Sequence, residues 1–284
     1  MSVPARPLVT VIVPVRNGAS TLRGALETVA AQTYDNLDIV LSDNASEDDT
    51  PSIMKEFCAA RKDATYIRHD RALSALQHFR TMIASARGKY VVLCAADDKR
   101  NELFVETLVD TLECTPGAVL AFGRLTVVRD GDHAKERTFP FENIDSPPWQ
   151  RVLKSARLQC FHFYGVWRTA ALQRIEMRDC TYWPDMQVMM AANSIGFFVR
   201  NNRAIFYYYE VQKSREERAR DQGRAAYEPH FRLHMINTVI KGISAVGGGL
   251  PLAGLGGAFL AIRELGVILG ETRMRVRQRV GRTR

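Results

Sequence analysis

Cysteine is scarce in this chain and follows no pattern. Among 284 residues there are five cysteines, at positions 58, 94, 114, 160 and 180. An odd number, widely spread and without a CxxC pair, excludes a disulfide framework and a thiolate zinc site as organising devices, and it fits free thiols in a reducing compartment. The opening residues, Met1 to Pro7, lack the apolar core of a secretory leader. Carboxylates are missing from 273–284, a run that carries six arginines. Residues 242–262 carry no charge at all.

The 46% hydrophobic and 25% charged content is that of a folded globular protein. The length suits one large α/β domain with an appendage, or two small domains. The net charge of +8 is unevenly spread. Residues 200–284 hold 16 basic and 7 acidic side chains, against 23 and 24 in residues 1–199. The basic character therefore belongs to the C-terminal third. Its arginine run suits anionic lipid headgroups or nucleic acid, and a solvated chain end is the plainer reading. The 21 uncharged residues before it have the length of a membrane span. Seven glycines and Pro251 weaken any helix there. A span, an element lying on a membrane surface and a packed soluble hairpin all stay open.

The first half alternates two periodicities. Leu8–Val13 is a β-branched apolar run stopped by Pro14, so it reads as a buried strand. Leu22, Ala25, Leu26 and Val29 have helical spacing within 19–32. Strands follow at Leu37–Leu41, Thr65–Ile67, Lys89–Cys94 and Ala118–Phe122. Helices are predicted after Thr50 (read as an N-cap before Pro51), over 73–86 and over 101–114. This order demands a mostly parallel sheet with helices on both faces. Beyond it, 130–155 reads as a long connection, 185–196 as a helix and Ala204–Tyr209 as a strand.

In open parallel sheets, ligands bind beyond the carboxyl ends of the strands. Three such ends here carry distinctive chemistry: Pro14-Val15-Arg16-Asn17, Ser42-Asp43-Asn-Ala-Ser46 and Ala95-Ala-Asp97-Asp98. Adjacent carboxylates at a strand end are costly without a cation beside them. Mg²⁺ and Mn²⁺ take oxygen ligands, commonly one or two carboxylates plus substrate phosphates. The alternative is a pair of acids before a helix N-terminus, favoured by its dipole. Asp43 can accept a base N–H or a ribose hydroxyl, or it can close an Asx turn. A nucleotidyltransferase would want a glycine-rich, basic phosphate loop after the first strand, and Pro14–Ser20 is a poor match.

Taken together, Thr10–Asn17, Ala31-Gln-Thr-Tyr34, Asp38–Ser46, Ala86–Tyr90 and Ala95–Asp98 resemble the family 2 glycosyltransferases of the GT-A fold, in motif order and spacing. The resemblance is strong over 8–125 and weak over 126–210. It implies an inverting glycosyltransferase on a GT-A, Rossmann-like, mostly parallel sheet flanked by helices. Residues 1–212 would form that domain, with a nucleotide-binding half at 1–125 and an acceptor half at 126–212. A basic helical and glycine-rich C-terminal extension would occupy 213–284. By position, Pro14, Val15, Arg16 and Asn17 match the first nucleotide-binding strand end, and Asp43 matches the acid that reads the base. Asp97 and Asp98 match the end of the acidic motif, which contacts ribose and a metal, Mn²⁺ or Mg²⁺. Asp185, in Trp183-Pro-Asp-Met-Gln187, matches the late acidic motif that supplies the general base, and an N-cap is the other reading of it. Tyr182 and Trp183 offer a sugar-stacking platform. His162 precedes Tyr164-Gly-Val-Trp-Arg168, which resembles the family's acceptor-side segment, and a lone histidine there is more often structural.

Three departures from the family pattern stand out. Ala95 replaces a frequent aspartate. Leu76-Gln-His-Phe79 lacks an arginine–asparagine pair, whose donor contact would fall to Arg71 or Arg80. Gln212 stands where relatives carry a histidine, with Lys213 or Arg215 as substitute cations. The implied partners are a nucleoside-diphosphate sugar (UDP favoured by family habit), a carbohydrate or lipid-linked acceptor, and an anionic membrane surface through 240–284, with no nucleic acid. The implied place is cytoplasmic, peripheral at the inner face of the plasma membrane. The alternative is a non-catalytic sugar-nucleotide binder of the same fold.

Overall fold

The structure is a computed structural model that describes residues 5–129, 133–137, 146, 151, 160–177 and 184–210. Tyr182, Trp183, Gln212, Lys213, Arg215 and the whole of 213–284 lie outside the described residues.

The expected alternation is present. In chain order come β1 (Val9–Val15), α1 (Ala19–Ala30), β2 (Leu37–Asp43), α2 (Thr50–Ala59), β3 (Ala64–Arg68), α3 (Ala75–Ser85) and β4 (Tyr90–Leu93). These are followed by a short β5 (Lys99–Arg100), α4 (Phe104–Glu113), β6 (Ala118–Arg129) and β7 (His133–Arg137). A 3₁₀ turn (Cys160–Tyr164), β8 (Val166–Arg168), α5 (Thr169–Gln173), α6 (Pro184–Ile195) and β9 (Phe197–Glu210) complete the described chain. The nine strands form one sheet in the order β3-β2-β1-β4-β8-β6-β9-β5, with β7 beside β6.

β1 pairs in parallel with both β2 and β4. The chain leaves β1 toward β2 and β3, then returns across it to β4. The order therefore reverses at the β1/β4 junction, where a crevice opens outside the strand ends. Both faces of β1 are covered, which is why its apolar run is continuous. Val9, Val11 and Val13 pack with Leu22, Leu26 and Phe104 on one face, and Ile12 packs with Met82, Ile83 and Val91 on the other.

The structure differs from the sequence reading in four places. The stretch 130–155, read as a long connection, contains β7, whose His133–Arg137 pair antiparallel with Leu125–Arg129 of β6. The strand predicted at Ala118–Phe122 is not the neighbour of β4. The antiparallel β8 lies between them, pairing Val92 with Val166 on one side and Ala121 with Val166 on the other. Three residues are too few to show a period, so β8 is silent in the sequence pattern. Thr50 is inside α2 rather than capping it, with Asp49 in the cap position. The Thr50 hydroxyl instead accepts from the Gly18 amide at 2.9 Å, tying α2 to the loop after β1. The helix expected from 101 starts at Phe104, because Lys99 and Arg100 are taken by β5, which pairs with Tyr207 and Phe206.

β8 is locked from its own side chains. Trp167 is fully buried and donates through Nε1 to the Phe163 carbonyl at 2.7 Å. Arg168 donates to the carbonyls of Ala118 at 2.7 Å and Leu112 at 2.6 Å, and to the Tyr90 hydroxyl at 3.1 Å. It thereby satisfies a carbonyl at the end of α4 that the helix cannot. Gly165, which precedes β8, has no room for a Cβ, which would run into the Ala121 carbonyl oxygen.

Candidate functional site

The ends of β1 and β2 are laced into one unit. Val15 and Asp43 are in register, and the Asn44 amide donates to the Val15 carbonyl at 2.8 Å. The loop then turns through Asn17 at φ 52°, a left-handed conformation that asparagine tolerates. The Asn17 amide donates to Ser46 Oγ at 2.9 Å, and its side-chain Oδ1 accepts from the Glu47 amide at 2.9 Å. The Ala19 amide donates to Asp48 at 3.0 Å. Pro14 is half-buried, Val15 buried and Arg16 exposed. Three of the four residues matched to the first nucleotide-binding strand end, Pro14, Val15 and Asn17, thus lie against the Ser42–Glu47 segment, and Arg16 is exposed.

The Asp43 side chain is fully buried, and both of its oxygens are engaged. Oδ1 accepts from the Ser46 amide at 2.8 Å, across Ala45 at φ 55°. Oδ2 accepts from Tyr66 Oη at 3.1 Å and Arg68 at 2.6 Å. The turn and the ion pair coexist on one carboxylate. Tyr66 and Arg68 escaped the sequence reading. Their spacing of two on an edge strand places them on one face, but only the register of Arg68 with Asp43 shows the partner.

A second cluster also went unread. Ser42 Oγ lies 2.6 Å from His78 Nε2 and 3.3 Å from His69 Nε2, and the two rings meet edge to face at 5.0 Å. Burial pushes His78 down to about 4, helped by His69 and opposed by Asp43. In sequence, His69 and His78 are two isolated histidines. Of the two arginines considered for a donor contact, Arg71 is exposed, and Arg80 lines a groove with Leu172–Met177 of and beyond α5.

At the end of β4 the chain passes Cys94, bound through its amide to the Ile12 carbonyl at 2.8 Å, and reaches the acidic pair. Asp97 is exposed, whereas Asp98 is 4% exposed. Asp98 Oδ1 has no hydrogen-bond partner among the described residues. Burial, then the charge of Asp97, push the Asp98 carboxyl up to about 7, with Arg100 offsetting part of the rise. The two acids are not the first turn of α4, since β5 intervenes. Among the described residues no cluster of three histidine, cysteine or acidic side chains could hold a metal. The chain offers two carboxylates, one with an orphaned buried oxygen. That fits a hard cation whose remaining ligands come from substrate phosphates and water.

Beyond β4, a separate small pocket lies at the irregular junction of β6 and β9. Phe122, Arg124, Arg200 and Phe206 line it from the strands, His162 and Tyr164 from the 3₁₀ turn, and Phe104 from α4. Tyr164 stacks on Phe206 at 5.7 Å. His162 is buried edge-on against Phe122 at 4.5 Å. Asp185 stands in the first turn of α6, half-buried, and α6 packs on the 3₁₀ turn that walls this pocket. The nucleotide-side residues and the acidic pair therefore share the carboxyl-end edge of the sheet, and the helix carrying Asp185 packs on the 3₁₀ turn that walls the pocket.

Comparison with known proteins places this arrangement. The model of "Glycosyl transferase family 2" matches residues 10–175, more than half of the chain. Glycosyltransferase GlyA of Streptococcus pneumoniae is 38% identical over 101 residues, which is 35% of this chain and 14% of that protein. Glycosyltransferase AglE of Haloferax volcanii is 28% identical over 141 residues, 49% of this chain and 46% of that protein. The match thus spans less than half the length of either relative. In fold, the chain is similar to S. aureus TarS 1–349 in complex with UDP-GlcNAc, with TM-score 0.68 and 14% identity over 91% of this chain and 73% of that one. It is also similar to the mannosyltransferase PcManGT from Pyrobaculum calidifontis in complex with GDP-Man and Mn²⁺, with TM-score 0.57 and 16% identity over 94% and 76%. The parallel β3-β2-β1-β4 core with its acidic pair at the β4 end is thus the GT-A architecture, and the chain belongs to glycosyl transferase family 2.

Proposed function

We propose that this glycosyltransferase is inverting and metal-dependent, moving a sugar from a nucleoside-diphosphate donor, UDP favoured, to a hydroxyl of a carbohydrate or lipid-linked acceptor. Cell-surface polysaccharide or glycolipid synthesis is the proposed setting. The observation that carries this reading is the buried, orphaned Asp98 oxygen beside Asp97 at the β1/β4 switch point. Support comes from two proteins of similar fold, one complexed with UDP-GlcNAc and one with GDP-Man and Mn²⁺.

In this reading, Pro14–Asn17 and Asp43 hold the nucleoside, and Asp97 reaches the ribose. Asp97 and Asp98 would hold Mn²⁺ or Mg²⁺, which supplies Lewis-acid neutralisation of the departing diphosphate. Asp185 takes the proton of the acceptor hydroxyl as it attacks the anomeric carbon from the face opposite the leaving group. Positioning and electrostatic stabilisation supply most of the rate. The test is Asp185→Asn assayed for transfer and for UDP binding. Transfer should vanish while UDP affinity stays unchanged, and near-normal turnover would remove Asp185 from the role.

Ala95, at the position where an acid is frequent, motivates a second reading as a sugar-nucleotide binder without turnover. Donor binding without donor hydrolysis, and without transfer to any acceptor tried, would establish it. The peripheral, cytoplasmic placement through 240–284 is likewise a proposal. Among the described residues no helix is long and apolar enough to cross a membrane. Equal recovery from anionic liposomes with and without 240–284 would refute a membrane role for that segment.

A further inference from the structure

We infer that Arg100 makes the cation site conditional on the donor: its buried positive charge offsets Asp98, so that Mn²⁺ or Mg²⁺ binds together with a nucleoside diphosphate and only weakly before it. The inference rests on the metal-dependent reading above and adds a positioning residue to it.

Arg100 is the second residue of β5, two positions after Asp98, and it is 3% exposed. Its backbone is fixed. Arg100 is in register with Phe206, and the next residue, Asn101, donates its amide to the Ile205 carbonyl at 3.1 Å. The Asn101 side chain accepts from the Ile205 amide at 2.8 Å and donates to the Arg203 carbonyl at 3.0 Å. The Arg100 guanidinium carbon lies 5.5 Å from the centroid of Phe104, and none of its three nitrogens has a hydrogen-bond partner among the described residues. Lys99 is on the opposite face of the strand, its Nζ 5.1 Å from the centroid of Tyr209. Arg100 is therefore the β5 cation turned inward beside the acidic pair.

Asp98 Oδ1 is buried without a partner as well. Two opposite charges, two residues apart and both almost fully buried, each keep unused hydrogen-bonding capacity. They nevertheless feel one another. Burial and Asp97 raise the Asp98 carboxyl, and Arg100 offsets part of that rise. Burial pushes the Cys94 thiol up, Arg100 opposes the rise and Asp98 adds to it, so both charges act on the one sulfur at the end of β4. A bonded pair would have consumed the Asp98 oxygen. This arrangement supplies a countercharge and leaves the oxygen open to another ligand.

Asp97, Asp98 and Arg100 together carry a single negative charge. A divalent ion arriving alone gives up hydration for two carboxylates and meets a guanidinium at short range, where repulsion is weakly screened. Ala95 supplies no third acid, and no cluster of three metal-ligating side chains lies among the described residues. A diphosphate brings the missing oxygens and a negative charge that both cations favour. Cation and nucleotide must then strengthen each other by the same factor.

Mn²⁺ binding to the full chain at pH 8 without nucleotide is read from the paramagnetic resonance of the free ion, and UDP affinity is read by calorimetry with and without Mn²⁺. In the parent protein Mn²⁺ should tighten UDP at least about tenfold. Arg100→Met should bind Mn²⁺ without nucleotide at least about tenfold tighter than the parent, and the gain of UDP from Mn²⁺ should shrink. Arg100→Lys keeps the charge and should keep the parental values. Arg100→Gln gives the same reading as Arg100→Met if the latter does not fold. Unchanged nucleotide-free Mn²⁺ affinity in a folded Met or Gln variant overturns the inference and leaves the metal-dependent reading standing. A parent protein that holds Mn²⁺ as tightly without UDP as with it also overturns it. UDP that binds equally with and without Mn²⁺ refutes the metal-dependent reading, and this inference with it.

Discussion

Replacing Asp98 with asparagine should make the protein more stable above neutral pH and unable to use a cation to hold a nucleotide. The Asp98 carboxyl is almost fully buried, with one oxygen unbonded among the described residues. Burial and Asp97 raise it from 3.8 to about 7. Between those values the folded chain keeps a proton that the unfolded chain has released. The stabilisation is therefore complete below 3.8 and is lost as pH rises through about 7. At about 1.4 kcal/mol per pH unit, the window is worth about 4 kcal/mol. Asparagine does not titrate, but its amide still enters a site that leaves one oxygen unbonded, returning about 2 kcal/mol of the gain. The net expectation is about 2 kcal/mol in favour of Asp98→Asn at pH 8, roughly 5 °C in melting temperature, and about 2 kcal/mol against it at pH 3.5, where only the amide's cost remains. Urea denaturation in chelator, followed by circular dichroism across pH 3.5–8, reads it. The quantity to compare is the difference between the two proteins, because His78 titrates over part of the same window with opposite sign. Adding Mn²⁺ and UDP should then raise the melting temperature of the parent protein and not that of the variant. A variant no more stable than its parent at pH 8 in chelator would refute the reasoning.

His78 gives the complementary pH effect: held down to about 4, it contributes stability above 6.5 that is lost as pH falls through about 4. His78→Phe should flatten that acid limb in urea midpoints measured against pH. Tyr66→Phe removes one of three donors to the buried Asp43 and should cost about 1 kcal/mol in denaturant unfolding. Trp167→Ala empties the centre of one core and should cost about 4 kcal/mol, read in the same way.

The parts of the fold that sequence exposes are those repeated often enough to have a period. β1, α1, β2 and β4 are each long or apolar enough to show one, and Pro14 marks the end of the first apolar run. Asp97 and Asp98 were legible because they follow an apolar run directly. β8 was not, because Val-Trp-Arg carries no period and its place is set by pairing with residues more than 40 positions away. The pairing of Arg68 with Asp43 was hidden for the same reason: a charged residue on an edge strand reads as solvent-facing until the register is known. Arg100 was hidden by chemistry, since an arginine in sequence signals the surface, and here it is buried against Phe104.

The position of β8 also governs how this chain can be made and cut. β4 is completed by residue 93, yet the strand that covers its outer edge arrives only at 166–168. During synthesis, Tyr90, Val91 and Val92 wait with unpaired amides and carbonyls on one side, an open edge of the kind that recruits other strands. A fragment ending near 125 would keep the nucleotide-side loops and the acidic pair but would leave that edge bare. Such a fragment is expected to associate through β4, and the smallest soluble unit of this enzyme must run at least through Arg168.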